Sequence, residues 1–406
     1  MKILIITQYF YPENFRINDF AFKMAKRGHE VSVLTGVPNY PEGKPFGKYK
    51  NLGSENIKGV AVYRVPLIAR GKSRGFELAL NYISFLISAF IFGPFLLRKV
   101  QPCIIFSINY SPATVGLVGV LFSKIKKAPL ALWVQDLWPD SLIATGAVRS
   151  GLILSAVRSM VKFIYSKSKI IFIQSRAFKK SILPLGFSNG KKISYLPNWA
   201  EDDFNNDNKF IDDPFAKLIP RDKFIIMFAG NLGVAQSLST IINAAIEVKN
   251  SNIHWVFLGD GRQKNWLDNV VADARLQSSI SILGRYPLED MPRFFKLADV
   301  MLVTLKTDKG FSMTVPGKIQ SYLRNAKPIL SALDGEGAAV IKESGAGLNV
   351  NTEDSAGLAK AAHAMSKLSQ KELDKMGINA SAYYNKNFDV DVLLTQFENE
   401  VNLKCF

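Results

Sequence analysis

Short apolar runs recur along the whole chain, each followed by a stretch with helical spacing. In the first half the runs are Ile3 to Thr7, Val31 to Thr35, Val60 to Val65, Ile104 to Ser107, Leu130 to Val134, Ile170 to Ile173 and Ile193 to Leu196. In the second half they are Phe224 to Phe228, Ile253 to Leu258, Ile280 to Leu283, Val300 to Val303, Pro328 to Ser331 and Gly347 to Val350. Runs of this length read as strands buried on both faces, and strands alternating with helices make largely parallel sheets covered by helices. Residues 1–200 and 201–388 are therefore expected to form two α/β domains of Rossmann-like character facing a central cleft where ligands sit. Between them, Asn198 to Arg221 turns polar and acidic, with Asp202, Asp203, Asp207, Asp212 and Asp213, and reads as a linker. Residues 389–406 have a helical pattern and are expected to pack back across the hinge. Gly28-His29-Glu30-Val31 reads as a helix end entering a strand, which gives His29 a structural role.

One segment breaks the alternation. Leu78 to Leu97 carries no charge over twenty positions, with Arg70, Lys72 and Arg74 before it and Arg98 and Lys99 after it. Its length would permit a membrane span. Pro102 and the strand pattern Cys103 to Phe106 follow at once, however, so both ends must rejoin one sheet. That leaves a wholly buried helix, or one packed on the sheet and partly exposed to a lipid interface, held there by the neighbouring cations. The second is the expectation.

Charge sharpens it. The chain of 406 residues has a formal net charge of +17, but residues 1–200 hold 28 Lys and Arg against 8 Asp and Glu, and residues 201–406 hold 23 against 26. A basic half points to an anionic membrane surface or a polyphosphate ligand, and without a recognition motif nucleic acid is not expected. With only Cys103 and Cys405 there is no disulfide framework and no structural zinc site. The N-terminus runs straight into a strand pattern without the regions of a signal peptide, so a cytoplasmic protein, peripheral on the membrane, is expected.

The segment from Phe224 to Ala245 bears the chemistry: a strand, a loop containing Gly230 and Gly233, then an amphipathic helix. Backbone N–H groups and a helix N-terminus converge in such a loop, which suits phosphate. A second strand runs into Gly259-Asp260-Gly261, and two adjacent loops of this kind suggest a nucleotide. Further on, Pro316 suits the first turn of a helix, which would bring Lys318 beside the anion site as a cation.

The order of motifs resembles the retaining GT-B glycosyltransferases of family 4. Phe228-Ala-Gly-Asn-Leu-Gly233, Leu258-Gly-Asp-Gly261, Leu283-Gly-Arg-Tyr286, Leu297-Ala-Asp-Val300 and Pro316 to Pro328 carry the resemblance in the second half. Tyr9-Phe-Tyr-Pro-Glu13, Arg27-Gly-His-Glu-Val31, Pro38-Asn-Tyr-Pro41, Val134-Gln-Asp-Leu-Trp-Pro-Asp140 and Leu196-Pro-Asn-Trp199 carry it in the first. Asn-Tyr-Pro, Trp-Pro-Asp-Ser and Gly-Asn-Leu-Gly-x-Ala-Gln are similar to a subgroup of bacterial O-antigen and capsule clusters that includes N-acetyl-L-fucosamine transferases.

The resemblance implies a hexosyl-type transfer with retention, from a UDP-sugar held by the second domain to an acceptor on the first. The acceptor expected is a polyprenyl-diphosphate-linked glycan, since a lipid diphosphate presents anionic and apolar contacts together. The departing diphosphate must be stabilised. Where many family members carry arginine and lysine in the first loop this chain has Asn231 and Gln236, and two glutamates near the donor sugar fall on Met313 and Ser321. Lys318, with Arg285 or Lys309, is expected to supply the missing charge. Donor contacts are expected from Gly230, Asn231, Gly233, Gln236, Gly259, Asp260, Gly261, Arg285, Met313, Thr314 and Ser321. Acceptor contacts are expected from Tyr9, Tyr11, Arg16, Asn39, Tyr40 and Trp138, with Glu13 or Asp136 orienting the acceptor hydroxyl beside Lys318 as the catalytic set. Neither a cofactor nor a bound metal is expected. A nucleotide-sugar 2-epimerase and a non-catalytic sugar-nucleotide-binding scaffold are the alternative readings.

Overall fold

The structure, a computed structural model, describes residues 1–49, 52–72, 74–144, 146, 148–187, 190, 192–201 and 214–405. The five aspartates expected in the linker lie outside these residues. Two compact units result, Met1–Pro197 with Leu394–Phe406, and Asn198–Leu393. The division falls just before the expected boundary because Ala200 packs into the core of the second unit.

The first unit is built on eight strands in the spatial order Gly53–Ile57, Val60–Val65, Glu30–Gly36, Lys2–Ile6, Ile104–Asn109, Leu130–Val134, Ile170–Ile173 and Ile193–Tyr195. All neighbours are parallel except the first pair, an antiparallel hairpin at the edge. Gly53–Ile57 was not expected as a strand. Its side chains alternate between half-buried and exposed, so it lacks the apolar run that marks the others. The central strands are buried throughout, as their β-branched and aliphatic composition requires. Strand order reverses between Lys2–Ile6 and Ile104–Asn109, and the loops leaving these strands diverge at that point.

The C-terminal helix Val390–Cys405 returns to this unit. Phe397 enters an aromatic cluster, with ring centres 5.0 Å from Phe20, 4.8 Å from Phe106 and 5.3 Å from Phe172. Glu398 ties it further, accepting from Arg27 at 3.1 Å and pairing with His29 at 2.7 Å. The other ring nitrogen of His29 meets the N-terminal amine at 2.7 Å.

The charge-free segment is one helix, Gly75–Leu96, long and apolar enough to cross a membrane by length and composition. It is packed on the sheet along one stripe of four-residue spacing, Asn81, Phe85, Ala89 and Gly93. Gly93 lies so close to Phe122 that a Cβ there would come within 2.8 Å of its ring. The outer face is apolar and exposed: Ile83, Ile87, Ile91 (63%) and Phe95 (65%) share a second stripe. Most of its apolar surface is thus neither buried nor polar.

The second unit is a six-stranded parallel sheet in the order Ile280–Gly284, Ile253–Leu258, Phe224–Ala229, Val300–Thr304, Ile329–Ala332 and Gly347–Val350. Its reversal lies between Phe224–Ala229 and Val300–Thr304, which puts the loop after Ala229 at the switch point. The helix expected after that loop starts only at Leu238. A tight turn over Val234–Gln236 comes first, and Ser237 adopts a left-handed conformation with φ of 47°.

Candidate functional site

In the second unit the two glycine loops are nested. Gly230 N–H donates to Leu258 O at 2.8 Å, Leu232 N–H to Asp260 O at 2.8 Å and Gly259 N–H to Gly284 O at 2.7 Å. Gly259 has φ of +136°, and a Cβ there would fall 1.8 Å from the carbonyl oxygen of Gly230, so no other residue permits this approach. The loops open onto a cavity of about 780 Å³ lined by Gly230, Asn231, Gly259, Asp260 and Arg285. Its opposite wall, Tyr286, Pro287, Leu288 and Met291, is largely apolar and extends the expected set. The ring of Tyr286 is fixed by Phe215 and Phe294, 5.4 Å and 4.6 Å away. The run Tyr286-Pro287-Leu288 directly after Arg285 was the available signal for this wall.

Behind Gly230 stands Lys318. Its helix, Gly317–Arg324, starts one residue later than expected, with Pro316 just outside it. Tyr322, one turn on, clamps the helix to the strand end by bonding both the N–H and the C=O of Ala229, at 3.2 and 3.3 Å. Lys318 Nζ donates to Gln236 Oε1 at 2.6 Å and lies 3.5 Å from the ring centre of Phe228. A Cβ on Gly230 would be 2.8 Å from Lys318 Cε. Desolvation holds the ammonium well below its ordinary pKa. The turn bearing Gln236 is itself fixed, since Thr304 Oγ1 donates to Gln236 O and Lys306 N–H to Ala235 O.

Several expected donor residues take other positions. Gly233 and Gly261 shape the loops without lining the cavity, and Gln236 serves Lys318. Met313, Thr314 and Ser321 do not line it either. Ser321 Oγ donates to Gly317 O and Thr314 Oγ1 to Phe311 O, so both hydroxyls turn back onto their own backbone. Lys309 is exposed and also outside the lining.

In the first unit Glu13 is a correction. The carboxylate is 2% exposed, with Oε1 accepting from the N–H groups of Asn39 and Tyr40 at 2.8 and 2.7 Å and Oε2 from Phe10 at 3.2 Å. It knits two loops together and has no open face for an acceptor hydroxyl. Burial, only partly offset by these bonds, pushes its pKa up to about 7. Tyr9 and Asn39 are buried as well and support the surface from beneath. Asn39 Oδ1 accepts from the Arg70 N–H, and Asn81 of the apolar helix bonds Gln8 and Ile68 O.

Around the switch point of this sheet Tyr9, Phe15, Tyr40 and Tyr110 form a continuous aromatic patch. Phe15 lies 4.9 Å from Tyr9, 5.2 Å from Tyr40 and 5.1 Å from Tyr110. The guanidinium of Arg70 sits 4.8 Å from the Tyr40 ring. Phe15 and Tyr110 are additions to the expected set. Tyr11 offers its carbonyl to Arg64 at 2.7 Å, and Arg16 opens the helix Arg16–Lys26 below this patch. Asp136 remains half-buried, accepting from Trp138 Nε1 at 3.2 Å and Ser141 Oγ at 3.0 Å, and burial raises its pKa. Among the described residues no group of three His, Cys, Asp or Glu could hold a metal ion.

Comparison with known proteins covers both units. Residues 14–199 match a family described as a glycosyl transferase 4-like domain, and residues 223–367 match glycosyl transferases group 1. WcaI of Escherichia coli K12, a glycosyl transferase assigned to colanic acid biosynthesis, is 26% identical over 80% of this chain and 81% of its own. Among solved structures, Anabaena HepE in complex with UDP superposes with a TM-score of 0.70 at 14% identity, covering 99% of this chain and 100% of that one. WaaG, a glycosyltransferase involved in lipopolysaccharide biosynthesis, superposes with a TM-score of 0.63 at 12% identity, covering 97% and 98%. These two likenesses bear on the fold. With glycosyltransferase domains matched in both units and two Rossmann-like sheets carrying them, the chain is a GT-B glycosyltransferase of the family-4-like group.

Proposed function

We propose that this enzyme moves a sugar from a UDP-linked donor onto a polyprenyl-diphosphate-linked glycan during surface polysaccharide synthesis, as in O-antigen or capsule assembly. The sugar is an N-acetylated 6-deoxyhexosamine such as N-acetyl-L-fucosamine, transferred with retention. The observation that carries the reading is the nested pair Gly230 and Gly259, opening on one cavity with Lys318 directly behind it. Backbone N–H groups there suit the donor diphosphate, and Lys318 and Arg285 supply the cations that Asn231 and Gln236 do not. The apolar wall from Tyr286 to Met291 suits a nucleobase. HepE is seen with UDP, WcaI is assigned to colanic acid and WaaG to lipopolysaccharide, all in keeping with this substrate class.

In the proposed reaction the bond from the sugar's anomeric carbon to the β-phosphate oxygen breaks. The acceptor hydroxyl oxygen bonds to that carbon from the same face, and its proton passes to a β-phosphate oxygen of the departing UDP. No residue is required as a covalent nucleophile, and no bound metal. The exposed apolar stripe of Gly75–Leu96 and the cations flanking it seat the enzyme on an anionic membrane, on its cytoplasmic side, where a lipid-linked acceptor is presented.

Purified enzyme incubated with a panel of UDP-sugars and synthetic lipid-diphosphate sugars tests this. The expected product is an acceptor heavier by one sugar residue, with UDP released only when acceptor is present. A new nucleotide sugar formed without acceptor, or donor binding without turnover on any acceptor, contradicts it.

A further inference from the structure

A second pocket, of about 260 Å³, lies in the first unit between the loop after Leu130–Val134 and the helices Gly151–Lys167 and Phe178–Ile182. It is smaller than the sites that enclose drug-sized ligands and matches a group of about one sugar ring. Trp138 contributes an indole face, Pro184 and Leu185 an apolar rim, and Asp140, Arg158 and Tyr165 the polar groups. The Tyr165 side chain is 2% exposed, yet its hydroxyl makes no hydrogen bond among the described residues. The hydroxyl is therefore free to donate to or accept from a ligand in the pocket. Arg158 and Asp140 line the same pocket, and no ion pair joins either to a described residue. Lys162 follows Arg158 by one helical turn, with Nζ 4.0 Å from the Cβ position of Gly186 beside Leu185, so the cationic rim continues there. At the start of the same helix Leu152 is 86% exposed and Ile153 53%, so the helix that brings Arg158 to the pocket also presents apolar surface.

An aromatic face, a hydrogen-bonding acid and hydroxyl, and a cation at the mouth are what a glycosyl phosphate presents partners for: ring C–H groups, hydroxyls and an anion. We infer that the pocket around Trp138, Arg158 and Tyr165 is a glycosyl-phosphate subsite, receiving the phosphate-linked sugar of the lipid acceptor while the apolar residues at the start of the Arg158 helix meet the lipid. This rests on the proposed lipid-diphosphate acceptor, and it adds a contact to that acceptor besides the sugar that is extended.

The test uses the full chain and two probes. N-acetylglucosamine 1-phosphate is titrated into wild type, Arg158→Gln, Tyr165→Phe and Trp138→Ala, with UDP titrated in parallel as a control on the other unit. Wild type is expected to bind the sugar phosphate, Arg158→Gln to bind it about tenfold more weakly, and Tyr165→Phe severalfold more weakly, with UDP affinity unchanged in all. No binding by wild type at millimolar probe, or equal binding by every variant, overturns the subsite. The second probe is a phytanyl-diphosphate-linked N-acetylglucosamine in vesicles, offered as acceptor. Arg158→Gln is expected to raise its KM about tenfold while leaving the donor KM alone, and an unchanged acceptor KM overturns the subsite with the transferase reading intact. Failure of wild type to glycosylate any lipid-diphosphate acceptor counts against the proposed function, and the binding titration still decides the subsite.

Discussion

Lys318 and Gln236 are joined across the base of the phosphate loop by a 2.6 Å hydrogen bond from the ammonium to the side-chain oxygen. One comes from the helix after Pro316 and the other from the turn before Leu238, so the pair locks together two segments behind Gly230. The neutral glutamine satisfies one donor of the ammonium without neutralising it. Its remaining charge is available to an anion over Gly230.

That arrangement couples donor binding to protonation. Burial depresses the Lys318 pKa, so the charged form is disfavoured in the fold and stability contributed by the neutral lysine is lost as pH falls through the folded value. A diphosphate beside it restores the charge. Where the free enzyme holds Lys318 neutral, UDP binding is therefore expected to take up protons, and to weaken as pH rises through the folded value toward the ordinary lysine range. Calorimetry in buffers of different ionisation enthalpy measures the uptake, and Lys318→Met is expected to abolish it.

The close approach of Gly259 to Gly230 leaves no room for a side chain. Gly259→Ala must displace a loop and is expected to cost about 1–3 kcal/mol of stability, as strained backbone positions do, and to weaken UDP binding at least tenfold. Thermal unfolding and a UDP titration check both effects.

Glu13 provides a separate pH signature. Its pKa is raised to about 7 by burial, above the unfolded value, so the protonated form is favoured in the fold. Stability from this group is present in full below the unfolded pKa and is lost as pH rises through about 7, by up to about 3 kcal/mol. Glu13→Gln is expected to flatten that slope, seen as a smaller difference in denaturation midpoint between acidic and mildly alkaline buffer than in wild type.

The outer stripe of Gly75–Leu96 predicts membrane association without a span. Ile87→Glu with Ile91→Glu is expected to lower binding to phosphatidylglycerol vesicles by at least about a hundredfold, given about 1.5–3 kcal/mol for each apolar side chain withdrawn from water. Folding should be unaffected, since both residues are exposed. Raising salt should weaken wild-type binding as the flanking cations are screened.

Among the described residues, thirteen of the fourteen strands were legible because each is a short, mainly apolar run, and the central ones are buried on both faces. The edge strand Gly53–Ile57 was not, since it is half exposed and reads as polar. The phosphate loop was legible from Gly230 and Gly259, whose conformations only glycine adopts readily. Side-chain direction was not. Ser321 and Thr314 stand where motif spacing suggests a donor contact, yet each hydroxyl bonds its own helix or turn. Glu13 lies in a loop at a strand end, as an acid at a site would, but the N–H of Phe10 in its own loop and those of Asn39 and Tyr40 in a distant one turn it inward. The distant partners are brought together only by the fold, as are Phe15 and Tyr110, 95 residues apart in the chain and in tilted ring contact at the switch point.

The most direct measurement is the transfer rate of Lys318→Ala and Lys318→Met against wild type, at saturating UDP-sugar and lipid-diphosphate acceptor, alongside their unfolding midpoints. Lys318→Met removes a buried charge while keeping most of the volume, so its stability is expected to match or exceed wild type. The expected result is a fall in turnover of at least a hundredfold in both variants, the scale on which loss of one group stabilising developing charge is felt. Near-normal turnover in folded Lys318→Met would contradict it and remove Lys318 from the chemistry.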